Sequence, residues 1–326
     1  MSKQTPLSPL RIDAARERID PVFLNSPLLR SDRLALALVA KDETQNPIRS
    51  FKGRGTGYYL AEHADETRPL VTASAGNFGQ GLAYNSRRHG RSLVVFASVN
   101  ANPLKIEAMR RFGADVILAG EDFDAAKEAA KRYAAEKQLS FVEDGASAAI
   151  AEGAGTIAAE LTEHVENIDT MFVPLGNGAL AAGVGCWLKS LSPRTKVIAV
   201  AAKGAPCMAL SYAAGTAVPT AEARTIADGI AVRNPVLSAV EWLRDTVDEI
   251  MVVDDDQIID AMRFAYESWG RLVEPAGAAG LAAILARASG LRGSCVTTIL
   301  CGANLTPEQI KTWLPSAAAS GGGGKS

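Results

Sequence analysis

Short apolar, β-branched runs recur along the chain, and segments of helical periodicity separate them. Residues 70–72, 93–97, 116–118, 171–174, 197–201, 250–253 and 296–300 are the predicted strands. Between them, residues 103–112, 124–137 and 256–269 set apolar side chains on one face of a predicted helix. Strands alternating with helices predict an α/β fold with doubly wound, mostly parallel sheets, because parallel neighbours need a crossover. Residues 68–146 form one strand-rich stretch, the size of a small lobe. Residues 1–67 and 147–315 then make a larger, discontinuous lobe, and 316–326 a flexible tail. Ligands of such sheets bind beyond the carboxyl ends of the strands. That rule directs attention to the sequences after Thr72, Pro174 and Leu300.

A length of 326 residues suits about two domains. With 48% apolar and 21% charged residues, the balance is that of an ordinary globular protein. A net charge of −2 argues against a nucleic-acid partner or a membrane surface. Cys186, Cys207, Cys295 and Cys301 lie far apart, which fits reduced thiols in the cytoplasm better than a zinc site or a disulfide framework. The N-terminal segment lacks the apolar core of a signal peptide, and no apolar run is long enough to span a bilayer. The final GGGGKS lacks the strand before it and the helix after it that a phosphate loop needs.

Four stretches carry candidate chemistry. Lys52 stands between Phe51 and Gly53 on the approach to a helix. Most lysines are solvated, because burying an ammonium is costly. Here Phe51 can wall the amine off, while Gly53 and Gly55 permit close backbone approach, so Lys52 is a candidate nucleophile. Arg54 reads as a structural cation nearby. Ser74, Ala75, Gly76, Asn77 and Phe78 join a predicted strand to a helix. Ser74 and Asn77 are cap-forming types, and the free N–H groups of a helix start favour a carboxylate. Gly176, Asn177, Gly178, Ala179 and Leu180 follow another strand, and such small residues let N–H groups converge on a phosphate. A dinucleotide fingerprint is the rival there. Thr195 and Lys196 stand where its acidic ribose partner belongs, so a mononucleotide-sized phosphate is preferred. Cys301 directly follows the last predicted strand. His63, His89 and His164 lie in no site-like motif, which sets aside triad chemistry.

SFKGRG, SAGNFGQG, PLGNGALAAG, TIADGIAV, VEPAGAAG and CGAN occur in the order expected of fold-type II pyridoxal-phosphate enzymes. Over about residues 20–305 the chain resembles the threonine/serine dehydratase and serine racemase group. The resemblance implies pyridoxal 5′-phosphate as cofactor, with Lys52 forming its Schiff base. It implies Phe51 beside the pyridine ring, Asn77 at the 3′-oxygen and Cys301 beside the ring nitrogen. Gly176, Asn177, Gly178, Ala179 and Leu180 match the phosphate loop, and Ser74 through Phe78 match the loop that receives the substrate carboxylate. Gly229 and Glu274 match positions near the cofactor. Asn177 and Ala179 replace two glycines of the family's loop, and Phe78 stands where a histidine is common. Ala201 and Cys207 occupy the positions of a Glu and an Asp in metal-binding relatives, so no metal is expected.

By resemblance the reaction is loss of water from a β-hydroxy L-amino acid of the threonine or serine type. Lys52 then acts as the α-proton base, and the products are a 2-oxo acid and ammonia. 3-Hydroxyaspartate and phenylserine are alternative substrates. Racemisation is the nearest rival reaction, but it needs a second acid/base, supplied in racemases by a serine where this chain has Ala75. A non-catalytic binding protein of the same fold is the rival from another class, and Lys52, Asn77 and Cys301 argue against it. A homodimer is the expected assembly.

Overall fold

The computed structural model describes residues 6–317. Its ten strands are β1 (Leu28–Ser31), β2 (Ala37–Asp42), β3 (Leu70–Ala73), β4 (Leu93–Ala97), β5 (Asp115–Leu118), β6 (Ser140–Phe141), β7 (Thr170–Pro174), β8 (Lys196–Ala202), β9 (Glu249–Val253) and β10 (Cys295–Leu300). Each predicted strand is present within one residue of its expected ends. β1, β2 and β6 escape the pattern for separate reasons. β1 is only partly buried, so it lacks an apolar run. β2 ends in Lys41 and Asp42, which are fully buried charges and read as loop residues in sequence. β6 has only two residues.

The strands form two sheets. One has the order β1-β2-β10-β7-β8-β9, and the other β5-β4-β3-β6. Every pairing is parallel except that of β1 with β2. Helices therefore cross over between neighbours, and central strands such as β3 and β7 are buried along their whole length. The helix Pro275–Arg287 packs on the larger sheet through small residues. A Cβ at Gly280 would fall 2.3 Å from Thr298 Oγ1, so only glycine allows that approach. Among the described residues no helix is long and apolar enough to cross a membrane. Of the expected tail, residues 318–326 lie outside the described residues.

A buried ionic cluster ties the helix Lys52–Glu62 to its neighbours. Arg54 is fully buried and donates to both carboxylate oxygens of Glu43 (2.8 Å each). It also donates to Glu160 at 2.6 and 2.9 Å, and Lys41 Nζ lies 2.8 Å from the same Glu160. Two cations thus face two carboxylates, the arrangement that lets buried charge persist. Burial opposes the charge on Arg54, but Glu43 and Glu160 outweigh it and raise the guanidinium pKa. Burial likewise opposes ionisation of Glu160, yet Arg54 and Lys41 outweigh it and lower the pKa from 4.5 to about 2. Its stabilisation is therefore complete above pH 4.5 and is lost as pH falls towards about 2. Acid titration of stability should show a loss across that window in the native chain. In Glu160→Gln that part of the pH dependence should be absent, at a lower starting stability.

Candidate active site

The carboxyl ends of both sheets open on one cavity of about 670 Å³, within the range of small-molecule sites. Lys52 is the first residue of its helix and extends into this cavity. Thr56 Oγ1, one turn on in the same helix, donates to the Lys52 carbonyl (2.8 Å), and Asn85 Nδ2, from the helix Asn77–Arg88, donates to the next carbonyl, Gly53 O (3.0 Å). The Lys52 amine lies 4.7 Å from the centre of the Phe51 ring and 5.8 Å from that of Phe78. It donates to Asp144 Oδ2 at 2.5 Å.

Ser74 leads from β3 into the helix Asn77–Arg88. Its Oγ accepts from the N–H groups of Gly76 (3.2 Å) and Gly79 (2.9 Å), while Ala75, Gly76 and Asn77 line the cavity. One expectation needs correction here: Asn77 does not cap. Gly76 is the N-cap residue, and the Asn77 side chain is engaged elsewhere. Its Nδ2 donates to Glu274 Oε1 (2.5 Å) and its Oδ1 accepts from Asn304 Nδ2 (2.8 Å). The N–H of Asn304 donates to Glu274 Oε2 (3.0 Å). Glu274 is buried, which raises its carboxyl pKa against the lowering pull of Lys105 and these donors.

Gly176, Asn177 and Gly178 link β7 to the helix Ala179–Leu191, whose first residues are Ala179 and Leu180. Gly178 has φ +97°, a conformation glycine adopts readily, and the helix start that follows it, with its free N–H groups, lines the cavity. A Cβ at Gly178 would also lie 3.0 Å from Ala239 Cβ. Gly229 lies opposite, its carbonyl 3.0 Å from where a Gly176 Cβ would stand. Cys301 directly follows β10, its carbonyl accepting from Phe51 N–H (3.0 Å) and its thiol contacting Ile299 O (3.7 Å). Burial pushes that thiol pKa well up, so it stays protonated at neutral pH. Ala201 lies buried in β8, and Cys207 opens the helix Cys207–Ala214 with its thiol pKa raised to about 11 by burial.

The structure brings every predicted site residue to this cavity: Phe51, Lys52, Ser74 to Phe78, Gly176 to Leu180, Gly229, Glu274 and Cys301. It adds residues that motif reading missed. Asp144 and Glu143 follow β6, at the same carboxyl edge, and Glu143 pairs with Lys127. Lys105, on the helix Pro103–Arg111, pairs with Asp228, next to Gly229. Burial opposes its charge, but Asp228 and Glu274 outweigh it, so its pKa is raised. Arg233 pairs with Asp124, whose other oxygen accepts from Asn234 Nδ2 (2.7 Å), and Arg224 pairs with Glu222. Lys105 and Asp124 belong to the half carrying the smaller sheet, so the Lys105–Asp228 and Arg233–Asp124 pairs tie the two sides of the cavity together.

One cavity thus holds an amine beside two aromatic rings and a helix start that can hold an anion. The profile of a family described as pyridoxal-phosphate dependent enzyme matches residues 19–302, and the chain belongs to that family. It is 36% identical over 281 residues to the biosynthetic L-threonine dehydratase of Salmonella typhimurium, covering 84% of this chain and 54% of that protein. It is 32% identical to the L-threonine ammonia-lyase of Geobacter sulfurreducens, covering 91% and 75%. The chain thus spans about half the length of the biosynthetic dehydratases it matches. Among solved structures, processed threonine deaminase isoform 2 of Solanum lycopersicum superposes with TM-score 0.87 at 28% identity, covering 97% of this chain and 96% of that one. Maize serine racemase does so with TM-score 0.87 at 28% identity, covering 98% and 100%.

Proposed function

We propose that the protein is a lyase that removes water from a β-hydroxy L-amino acid, giving a 2-oxo acid and ammonia. The observation that carries this reading is the Lys52 amine, close to the rings of Phe51 and Phe78, in the same cavity as the Gly178 helix start. Those groups fit pyridoxal phosphate: Lys52 would hold its aldehyde, and the 176–180 loop its phosphate. The bound cofactor supplies an electron sink for the α-carbon. Phe51 would pack against its ring, and Asn77, fixed by Glu274 and Asn304, would donate to the 3′-oxygen. The neutral Cys301 thiol would offer the ring nitrogen a weak hydrogen bond and no charge, a setting that would favour loss of the β-hydroxyl over transamination. The substrate carboxylate fits the Ser74–Phe78 loop, where backbone N–H groups and the Ser74 hydroxyl meet. With the cofactor bound, Lys52 would also be the group placed to take the substrate's α-proton.

Elimination is preferred to racemisation because Ala75 offers no acid/base where racemases carry a serine. A 2-oxo acid assay across L-threonine, L-serine, 3-hydroxyaspartate and phenylserine tests the reading, run with solvent-deuterium incorporation into recovered substrate. Deuterium incorporation into both enantiomers of serine, faster than 2-oxo acid release, would make the enzyme a racemase. We also expect Gly178→Ala to weaken pyridoxal-phosphate affinity about tenfold in a visible-band titration, since φ +97° and the Ala239 contact both oppose a methyl group. A cytoplasmic homodimer is the assembly the family resemblance supports.

A further inference from the structure

Asp144 is the cavity carboxylate whose partner is the reacting amine itself. Its Oδ2 accepts from Lys52 Nζ at 2.5 Å, and its Oδ1 is buried without a hydrogen bond. The other side chain near it is Asn177, with Nδ2 a long 3.5 Å from Oδ2. Among the described residues, every other cation lining the cavity already faces a carboxylate. Those pairs have no reason to change when the cofactor binds, but the Lys52–Asp144 pair does. As the Lys52 nitrogen joins the aldehyde carbon, a C=N bond forms, one water leaves, and the nitrogen keeps at most one proton of its ammonium. Asp144 is then a poorly solvated carboxylate short of both charge and donors, an expensive state unless a ligand group relieves it.

We propose that Asp144 selects substrates by their β-substituent, accepting a hydrogen bond from a β-hydroxyl or β-ammonium group and repelling a β-carboxylate. The inference rests on Lys52 being the cofactor's attachment point, as argued for the proposed function. It narrows the substrate to serine- or threonine-like amino acids and disfavours 3-hydroxyaspartate. Like charges brought together at a desolvated contact lower affinity sharply, and apart from Lys52 itself every cation lining the cavity is already paired with a carboxylate.

The test titrates the pyridoxal-phosphate-loaded enzyme with L-serine, L-2,3-diaminopropionate and L-aspartate, following the visible absorption band. L-Serine and L-2,3-diaminopropionate should bind at least about tenfold more tightly than L-aspartate. Asp144→Asn should shrink the gap between the diamine and L-aspartate by about tenfold, and Asp144→Ser, titrated in parallel, should do the same. L-Aspartate binding as tightly as L-serine to the native enzyme, or a gap unchanged by both substitutions, overturns the proposal alone. A native enzyme without a visible band, or one whose band persists in Lys52→Ala, overturns the attachment point and this proposal with it.

Discussion

Lys52→Ala is expected to abolish the visible cofactor band and to lower 2-oxo acid formation by about 10⁴-fold, because one residue supplies both the attachment point and the α-proton base. The fold should survive the change. Lys52 lies at the start of its helix and contributes no hydrogen bond to the buried ionic cluster, so unfolding by urea should shift little. Removing the amine does remove the ammonium partner of Asp144, which makes a modest loss of stability the expected cost. Absorbance, activity and urea unfolding measured on one preparation separate a chemical defect from a folding defect. Substantial turnover in Lys52→Ala would move the chemistry to another group.

Arg54→Ala should lower stability by about 3–5 kcal/mol, the largest effect expected of a single substitution outside the cavity. The guanidinium is fully buried between Glu43 and Glu160. Without it Glu160 keeps Lys41, but Glu43 retains only the Ser26 hydroxyl as a side-chain partner. The loss is thus chiefly an uncompensated buried carboxylate. A second substitution, Glu43→Gln, in the Arg54→Ala background should recover part of it, a coupling that a double-mutant cycle measures directly. Because Arg54 sits in the first turn of the Lys52 helix, partial activity loss should accompany the destabilisation. Urea midpoints that fall without a change of slope would mark a stability effect.

Much of this architecture was legible because buried parallel strands must be apolar runs and their crossovers must be amphipathic. β3, β4, β7, β8, β9 and β10 all announce themselves in that way. β2 does not, since Lys41 and Asp42 look solvated until Glu160 and Arg271 are seen beside them. The glycine-rich junctions were legible for a related reason: close backbone approach and positive φ restrict the residue type, as at Gly178. Asn77 shows the limit of local reading. Its capping propensity was real, but Glu274 and Asn304, distant in sequence, claimed its side chain. Asp144, Lys105 and Asp228 were missed because an ionic pair between remote segments leaves no periodic trace. The one available signal for Asp144 was its position just past a strand, and β6 is too short to be read as one.

The most direct test of the account is borohydride reduction of the pyridoxal-phosphate-loaded protein, followed by peptide mass mapping. The account predicts a pyridoxyl group fixed on Lys52, with the modified protein inactive towards L-threonine and L-serine. A group fixed instead on Lys105 or another lysine, or no fixed group at all, would contradict it.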